Sequence, residues 1–222
     1  DFSGYTDMAL ALGMILGVNL PLNFDRPYLA GSIREFWQRW HMTLSRWLRD
    51  YLYIPLGGNR YGLQQSMIAV LITMLLGGLW HGAAWTFVFW GGLHGLAIII
   101  ERYGSKFFTI SPSTLLPGRQ IFIFHFVALS WLIFRAPDFS RAIDIFSGVW
   151  NPGNFSIFIN NPVVAIVIIL VIALHKWDRV ENIKKLVEHL PLSVVSTFSI
   201  LLILICAALN TANPSAFIYF DF

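Results

Sequence analysis

The sequence predicts an all-α, polytopic membrane domain of about six transmembrane helices plus an interfacial amphipathic helix, and three observations lead there. Of 222 residues, 56% are hydrophobic, 16% aromatic and only 12% charged, with a mean hydropathy of +0.64. A soluble domain carries about 25% charged residues, so this chain has roughly half the charge needed to cover a water-facing surface. Six apolar stretches, some of them short, approach the roughly 20 residues that a helix needs to cross a bilayer. They are 5–20, 64–79, 82–100, 119–135, 162–175 and 191–209. Finally, if these are spans, 13 of the 15 basic residues fall in the connections 21–63, 101–119 and 176–190, leaving only Arg135 and Arg141 on the other side. Lys and Arg accumulate on the cytoplasmic face, so 21–63 is expected to be cytoplasmic and the C-terminus to lie on the far side.

Taken in order, the first stretch carries one buried charge, Asp7, which serves either as a structural partner for an arginine or in chemistry. Over 32–53, Ile33, Phe36, Trp37, Trp40, Leu44, Trp47, Leu48 and Tyr51 recur at helical spacing with arginines between them, which predicts one amphipathic helix at the interface. Ser32 followed by Glu35 is a capping-box pattern at its start, and Pro55-Leu56-Gly57-Gly58-Asn59-Arg60 is a turn cluster at its end. The run 64–100 is too long for one span and divides at Gly77-Gly78 and Trp80-His81-Gly82, so two helices should meet at His81. The segment 136–161 reads as a polar connection, and its Asn154-Phe155-Ser156 sequon as coincidence. The single cysteine, Cys206, excludes an intrachain disulfide. A pI near 9.2 in so apolar a chain points to membrane sidedness, not to nucleic acid. The opening Asp1-Phe2-Ser3-Gly4-Tyr5 lacks the basic start of a signal peptide, and the expectation is a piece of a longer protein.

Histidines at membrane depth are the main candidates for chemistry. His81, at the helix break, either acts on a ligand or satisfies a carbonyl freed at the kink. His41 falls on the apolar stripe of the 32–53 helix, as either a packing or a functional residue; His94 and His125, inside spans, read as hydrogen bonders between helices. Gly57-Gly58-Asn59-Arg60 either holds a phosphate through backbone N–H groups and the arginine fork or is a turn with an interfacial anchor. No metal-ligand spacing, serine elbow or phosphate-binding glycine loop of known pattern occurs.

Phe36-Trp37-Gln38-Arg39-Trp40-His41, Trp47 through Arg60 with its Pro-Leu-Gly-Gly-Asn-Arg end, and Leu79-Trp80-His81-Gly82 together resemble the membrane-bound O-acyltransferase family. Within it, they are similar to the bacterial branch of alginate and peptidoglycan O-acetyltransferases, as are Asp1 to Ala9, Trp131 to Ala136 and Phe217 to Phe220. The resemblance implies that residues 1–222 are the C-terminal portion of a single helix ring, with the N-terminal portion absent, and that the segment alone is inactive. It implies catalytic roles for His81 and His41; Asn59 and Arg60 remain candidates for holding the donor from the residue types of their turn, and no resident metal or cofactor is expected. It implies a multi-pass protein of the bacterial inner membrane. Such an enzyme takes an acetyl-type group from acetyl-CoA or an acyl-carrier thioester to an envelope polysaccharide or a periplasmic partner acetyltransferase. D-alanyl transfer to teichoic acid fits Gly57-Gly58 and Phe24-Asp25-Arg26-Pro27-Tyr28 less well. A transporter using intramembrane His and Asp is the other class, although transporters usually carry internal repeats and none is visible. In the expected topology His41 lies on the cytoplasmic flank and His81 toward the opposite side.

Overall fold

Every regular element among the described residues is helical, in a computed structural model that describes residues 2–107, 116–151, 153 and 161–210. The order is α1 (Phe2–Ile15), α2 (Ile33–Arg39), α3 (Met42–Leu48), α4 (Gly62–Leu79), α5 (Trp85–Phe107), α6 (Leu116–Arg135), α7 (Phe139–Val149), then α8 (Pro162–Leu174), α9 (Val180–Glu188) and α10 (Leu192–Asn210). By length and composition, α4 and α6 can cross a membrane; α8 and the Leu192–Ile205 part of α10 are apolar but shorter. The sequon and Phe217 to Phe220 lie outside the described residues.

The core is the α4–α5 hairpin, and glycine makes it. A methyl group added at Gly78 would run into the carbonyl oxygen of Phe87, and one at Gly91 into that of Met74. Gly95, one turn beyond Gly91, lies with its would-be Cβ 3.1 Å from Met74 Cβ. This is the small-xxx-small device by which helices without a hydrophobic drive between them gain contact. The chain reverses between the helices at Trp80-His81, where the Trp80 and His81 N–H groups close back on Leu76 and Gly78. The break expected at His81 is therefore present.

The 32–53 stretch is not the single amphipathic helix that its spacing predicts. The capping box forms, with Glu35 N–H donating to Ser32 Oγ at 3.0 Å and the Glu35 carboxylate accepting from Gly31 N–H at 2.8 Å. After seven residues the helix stops. Trp40 is extended, His41 sits in the left-handed region at φ 44°, ψ 52°, α3 begins at Met42, and Arg49–Tyr53 continues it as a wider π turn. Periodicity missed the break because its cause is long-range: Asp25 N–H donates to Arg39 O and Met42 N–H to Asn23 O, tying the reversal to the preceding segment.

Three connections also differ from expectation. The 136–161 segment contains α7, capped by Asp138 accepting from Arg141 N–H at 2.8 Å. The 176–190 segment contains α9, and residues 101–107 extend α5, so Arg102 belongs to a helix. Asp7 is exposed and pairs with no arginine among the described residues.

Gly91→Ala should separate α4 from α5 and destabilise by about 1–3 kcal/mol, since the collision is with backbone and outweighs the roughly 1 kcal/mol that Ala gains in a helix. Gly104→Ala, with nothing within 4 Å of the added carbon, is the control. Thermal unfolding of the whole protein in detergent should show the first variant lowered and the second unchanged or raised; equal behaviour contradicts the close contact.

Candidate active site

α2 runs antiparallel to α5 and carries His41 to the hairpin turn. The path is marked by contacts in sequence order. Ile33 N–H donates to Glu101 Oε2 at 2.7 Å, Trp37 Nε1 donates to His94 Nδ1 at 3.3 Å, and the Trp37 ring meets Trp90 edge-on at 5.7 Å. Trp40 then packs on Trp131 at 5.0 Å, and His41 faces Trp80 at 6.2 Å. The expected placement of His41 and His81 on opposite flanks is thus corrected: both sit at the same end of the α4–α5 hairpin. Trp80 bridges them, its ring 5.0 Å from that of His81.

The His41 turn is built around Asn23, which is 7% exposed. Asn23 Oδ1 accepts from Thr43 N–H at 3.2 Å and from Thr43 Oγ1 at 2.9 Å, and lies 3.2 Å from His41 Nδ1. An amide oxygen only accepts, so His41 Nδ1 carries the proton and Nε2 keeps its lone pair. A left-handed non-glycine residue costs of order 1 kcal/mol or more and persists only where its surroundings hold it. Among the described residues only Arg26 and His41 are in this state, and both belong to the paired segments that form the reversal.

His81 is walled by aromatic rings: Phe134 at 5.0 Å, Trp90 at 5.6 Å and Phe87 at 6.2 Å. Its imidazole makes no hydrogen bond to the described residues, so both ring nitrogens are open to an incoming group. Burial pushes His41 down to about 4. His81 is also lowered to about 4, by burial first and by the nearby His41 second. Both imidazoles are therefore neutral at pH 7 and able to take a proton.

The remaining candidates divide. His94 is fully buried, with Nδ1 accepting from Trp37 and Nε2–H directed at Ser130 Oγ 2.9 Å away, which donates on to Val127 O. Both nitrogens are engaged, so His94 ties α2, α5 and α6 together. His125 is exposed and bonds its own helix, Nδ1 lying 2.7 Å from Ile121 O, so it does not join helices. The Gly57–Arg60 turn does not offer a cradle of free amides: Gly57, Gly58 and Arg60 N–H donate to Ile54, Tyr53 and Gly57 carbonyls. Asn59 instead accepts from Arg102, in a cluster with Tyr53 and Ser66 in which Tyr53 Oη donates to Asn59 Oδ1 at 2.7 Å. This cluster borders a cavity of about 520 Å³ at the end of the hairpin away from His81, with Arg34, Gln38, Arg49 and Asn59 on its wall. Arg60 is exposed beyond it. Sequence reasoning missed Asn23, Trp90 and Arg102, and quoted Trp131 only within the Trp131–Ala136 stretch of the resemblance, with no role. Only Arg102 left a signal, an arginine at the end of an apolar run.

The described residues thus form an all-helical fold in which two histidines flank the Trp80 ring at the hairpin turn. The model of the membrane-bound O-acyltransferase family (MBOAT) matches residues 1–137, and the chain belongs to that family. It is 47% identical to the probable alginate O-acetylase of Azotobacter vinelandii over 71% of this chain and 31% of that protein. It is 44% identical to the peptidoglycan O-acetyltransferase of Helicobacter pylori over 67% of this chain and 28% of that one. It is 31% identical to the teichoic acid D-alanyltransferase of Bacillus subtilis over 63% and 38%. The chain spans about a third of the length of the relatives it matches.

Asn23→Leu strands both Thr43 donors and the His41 Nδ1–H, and should lower stability by about 1–3 kcal/mol. In a double-mutant cycle with Thr43→Val the two losses should overlap by about 1 kcal/mol. Strict additivity would mean that the Asn23 contacts do not hold the turn.

Proposed function

We propose that the whole protein is a membrane O-acyltransferase of the bacterial inner membrane. In this reading it moves an acetyl-type group from a cytosolic thioester to a hydroxyl of an envelope polysaccharide, alginate-like or peptidoglycan, directly or through a periplasmic partner acetyltransferase. The observation that carries the proposal is that His41 and His81 flank the Trp80 ring, with His81 also packed against Phe134, Trp90 and Phe87. The greater identity to the alginate and peptidoglycan enzymes than to the D-alanyl transferase supports acetyl over D-alanyl as the group moved.

His81, with its unengaged ring nitrogens, is assigned as the base that removes the hydroxyl proton as the oxygen attacks the thioester carbonyl. The same imidazole then returns the proton to the departing thiolate. His41 orients the reacting groups, its tautomer set by Asn23 so that Nε2 presents a lone pair. The aromatic wall limits the water that would otherwise hydrolyse the donor. The donor is acetyl-CoA or an acyl-carrier thioester. Its phosphates suit the cavity bearing Arg34, Arg49 and Arg102, which together with Asn59 lies in the segments expected to be cytoplasmic. The spans not reached by α4 and α6 are assigned to α1, α5, α8 and α10, completing a multi-pass ring with the rest of the whole protein; residues 1–222 alone are expected to be inactive.

Three measurements test this. His81→Ala in the whole protein should lower envelope O-acetylation by about 10²–10⁴-fold at normal protein level; unchanged ester content would sink the assignment. Mass analysis of the released esters reports acetate if the reading is right and alanine if it is not. For pH, a base whose pKa is depressed remains unprotonated until the pH approaches that value. The acid limb of kcat/KM should therefore fall near pH 4 and not near the ordinary histidine value of about 6.5.

A further inference from the structure

The Phe24-Asp25-Arg26-Pro27-Tyr28 stretch has no part in the chemistry above, yet it carries the segment on which His41 turns. Two backbone hydrogen bonds tie that segment to the reversal, Asp25 N–H to Arg39 O and Met42 N–H to Asn23 O, both at 3.0 Å. Arg39 adds a third tie, its Nη1 donating to Asp25 O at 3.4 Å. Phe24 and Tyr28 both pack on Trp40, the residue before His41, at 4.8 and 6.2 Å. Wherever 23–28 sits, the His41 imidazole follows.

What fixes 23–28 in turn is Arg26. Its backbone is left-handed, at φ 47° and ψ 59°, a conformation that a residue with a Cβ keeps only where its surroundings hold it. Part of what holds it lies 150 residues further along the chain. The Arg26 side chain, 12% exposed, donates from Nε to Asp25 Oδ1 at 3.0 Å and from Nη1 to Lys176 O at 3.3 Å. Lys176 lies in the turn just past α8, where helix-end carbonyls lack partners within the helix and the dipole favours a cation. Two more contacts join the same corner: Arg179 Nε lies 3.8 Å from Asp25 Oδ1, and the Tyr28 ring 5.6 Å from that of His175. Arginine suits this place because its planar fork serves two acceptors at once. We propose that Arg26 is a positioning residue for acyl transfer, an inference that rests on the acyl-transfer reading above. It fastens 23–28 to the end of α8 and thereby fixes where His41 meets Trp80. Arg26 acts on no reacting atom itself; its effect passes through the backbone pairing to the imidazole. Rates are sensitive to such placement, since a shift of about 1 Å costs up to about a hundredfold.

The test uses Arg26→Asn, because asparagine tolerates the left-handed backbone but is too short to reach Lys176 O, so the fastening is removed without added strain. Arg26→Lys, whose ammonium is a point charge without the fork, is the conservative variant. Initial rates from radiolabelled acetyl-CoA are measured in native membranes containing the whole protein, per molecule of enzyme. Arg26→Asn is expected to lower kcat by about 10–10²-fold with KM within about threefold, and Arg26→Lys to recover part of the loss. The pair is then repeated on His41→Ala, with long incubations to read its residual rate. If Arg26 acts through His41, the loss from Arg26→Asn shrinks to within about threefold in that background. A general structural role would carry the same loss into it, and that result overturns the proposal. So does a wild-type rate in Arg26→Asn, a loss confined to KM, or an Arg26→Lys rate no better than that of Arg26→Asn. Where Arg26→Asn does not accumulate, Arg26→Lys carries the cycle with His41→Ala. If His81→Ala retains full activity, the acyl-transfer reading fails; if His81→Ala is inactive and Arg26→Asn is fully active, only the positioning role fails.

Discussion

The approach of α4 to α5 through Gly78 and Gly91 is the constraint on which the rest depends. With backbone against backbone at Gly78–Phe87 and Gly91–Met74, the two helices have one available spacing and one register. That register puts the Trp80-His81 reversal at one end and the Ser66–Arg102 contact at the other. A hairpin of two ordinary apolar helices in lipid would slide, because lipid tails are as apolar as leucine and burial gives little drive. The glycines replace that missing drive with shape.

On this hairpin α2 lies as a third, shorter rod, and its register is set by polar groups. Glu101 holds its start, His94 holds its middle, and its end is turned over at His41 by Asn23. Interrupted backbone is tolerated away from water only where protein satisfies it, and here the 23–25 segment does so through two backbone hydrogen bonds. The left-handed His41 is the local cost of reversing direction within one residue. The same geometry delivers the imidazole to Trp80 with one nitrogen bound and the other presenting its lone pair. Strain and placement of the candidate site are therefore one feature.

The two ends of the hairpin have opposite chemistry. At the Arg102 end, arginines, amides and the Glu101 carboxylate share the wall of a roomy cavity with apolar side chains. At the His81 end, aromatic rings pack around the imidazole and the polar groups are few. Under the proposed function, a charged, soluble donor handle would suit the first end and the transferred acyl group the second, the α2–α4–α5 wedge joining the two.

The sequence by itself determined much of this: an all-α membrane chain, the division at His81, the Ser32–Glu35 cap and the family, because composition, a turn signal and short motifs are local properties. It also singled out His41 and His81. It did not yield the break at His41, since Phe36, Trp37 and Trp40 keep helical spacing straight through it and the hydrogen bonds that enforce it come from Asn23 and Asp25. Nor did it yield α7 and α9, whose amphipathic patterns sit between stronger apolar signals. Only the tertiary structure decided that the two histidines share one end of the hairpin, that His94 is fully engaged, and that the Trp90 and Trp131 N–H groups find no partner among the described residues. Those facts depend on which helix faces lie against each other, and the pairing of faces is a long-range outcome of packing that no local pattern encodes.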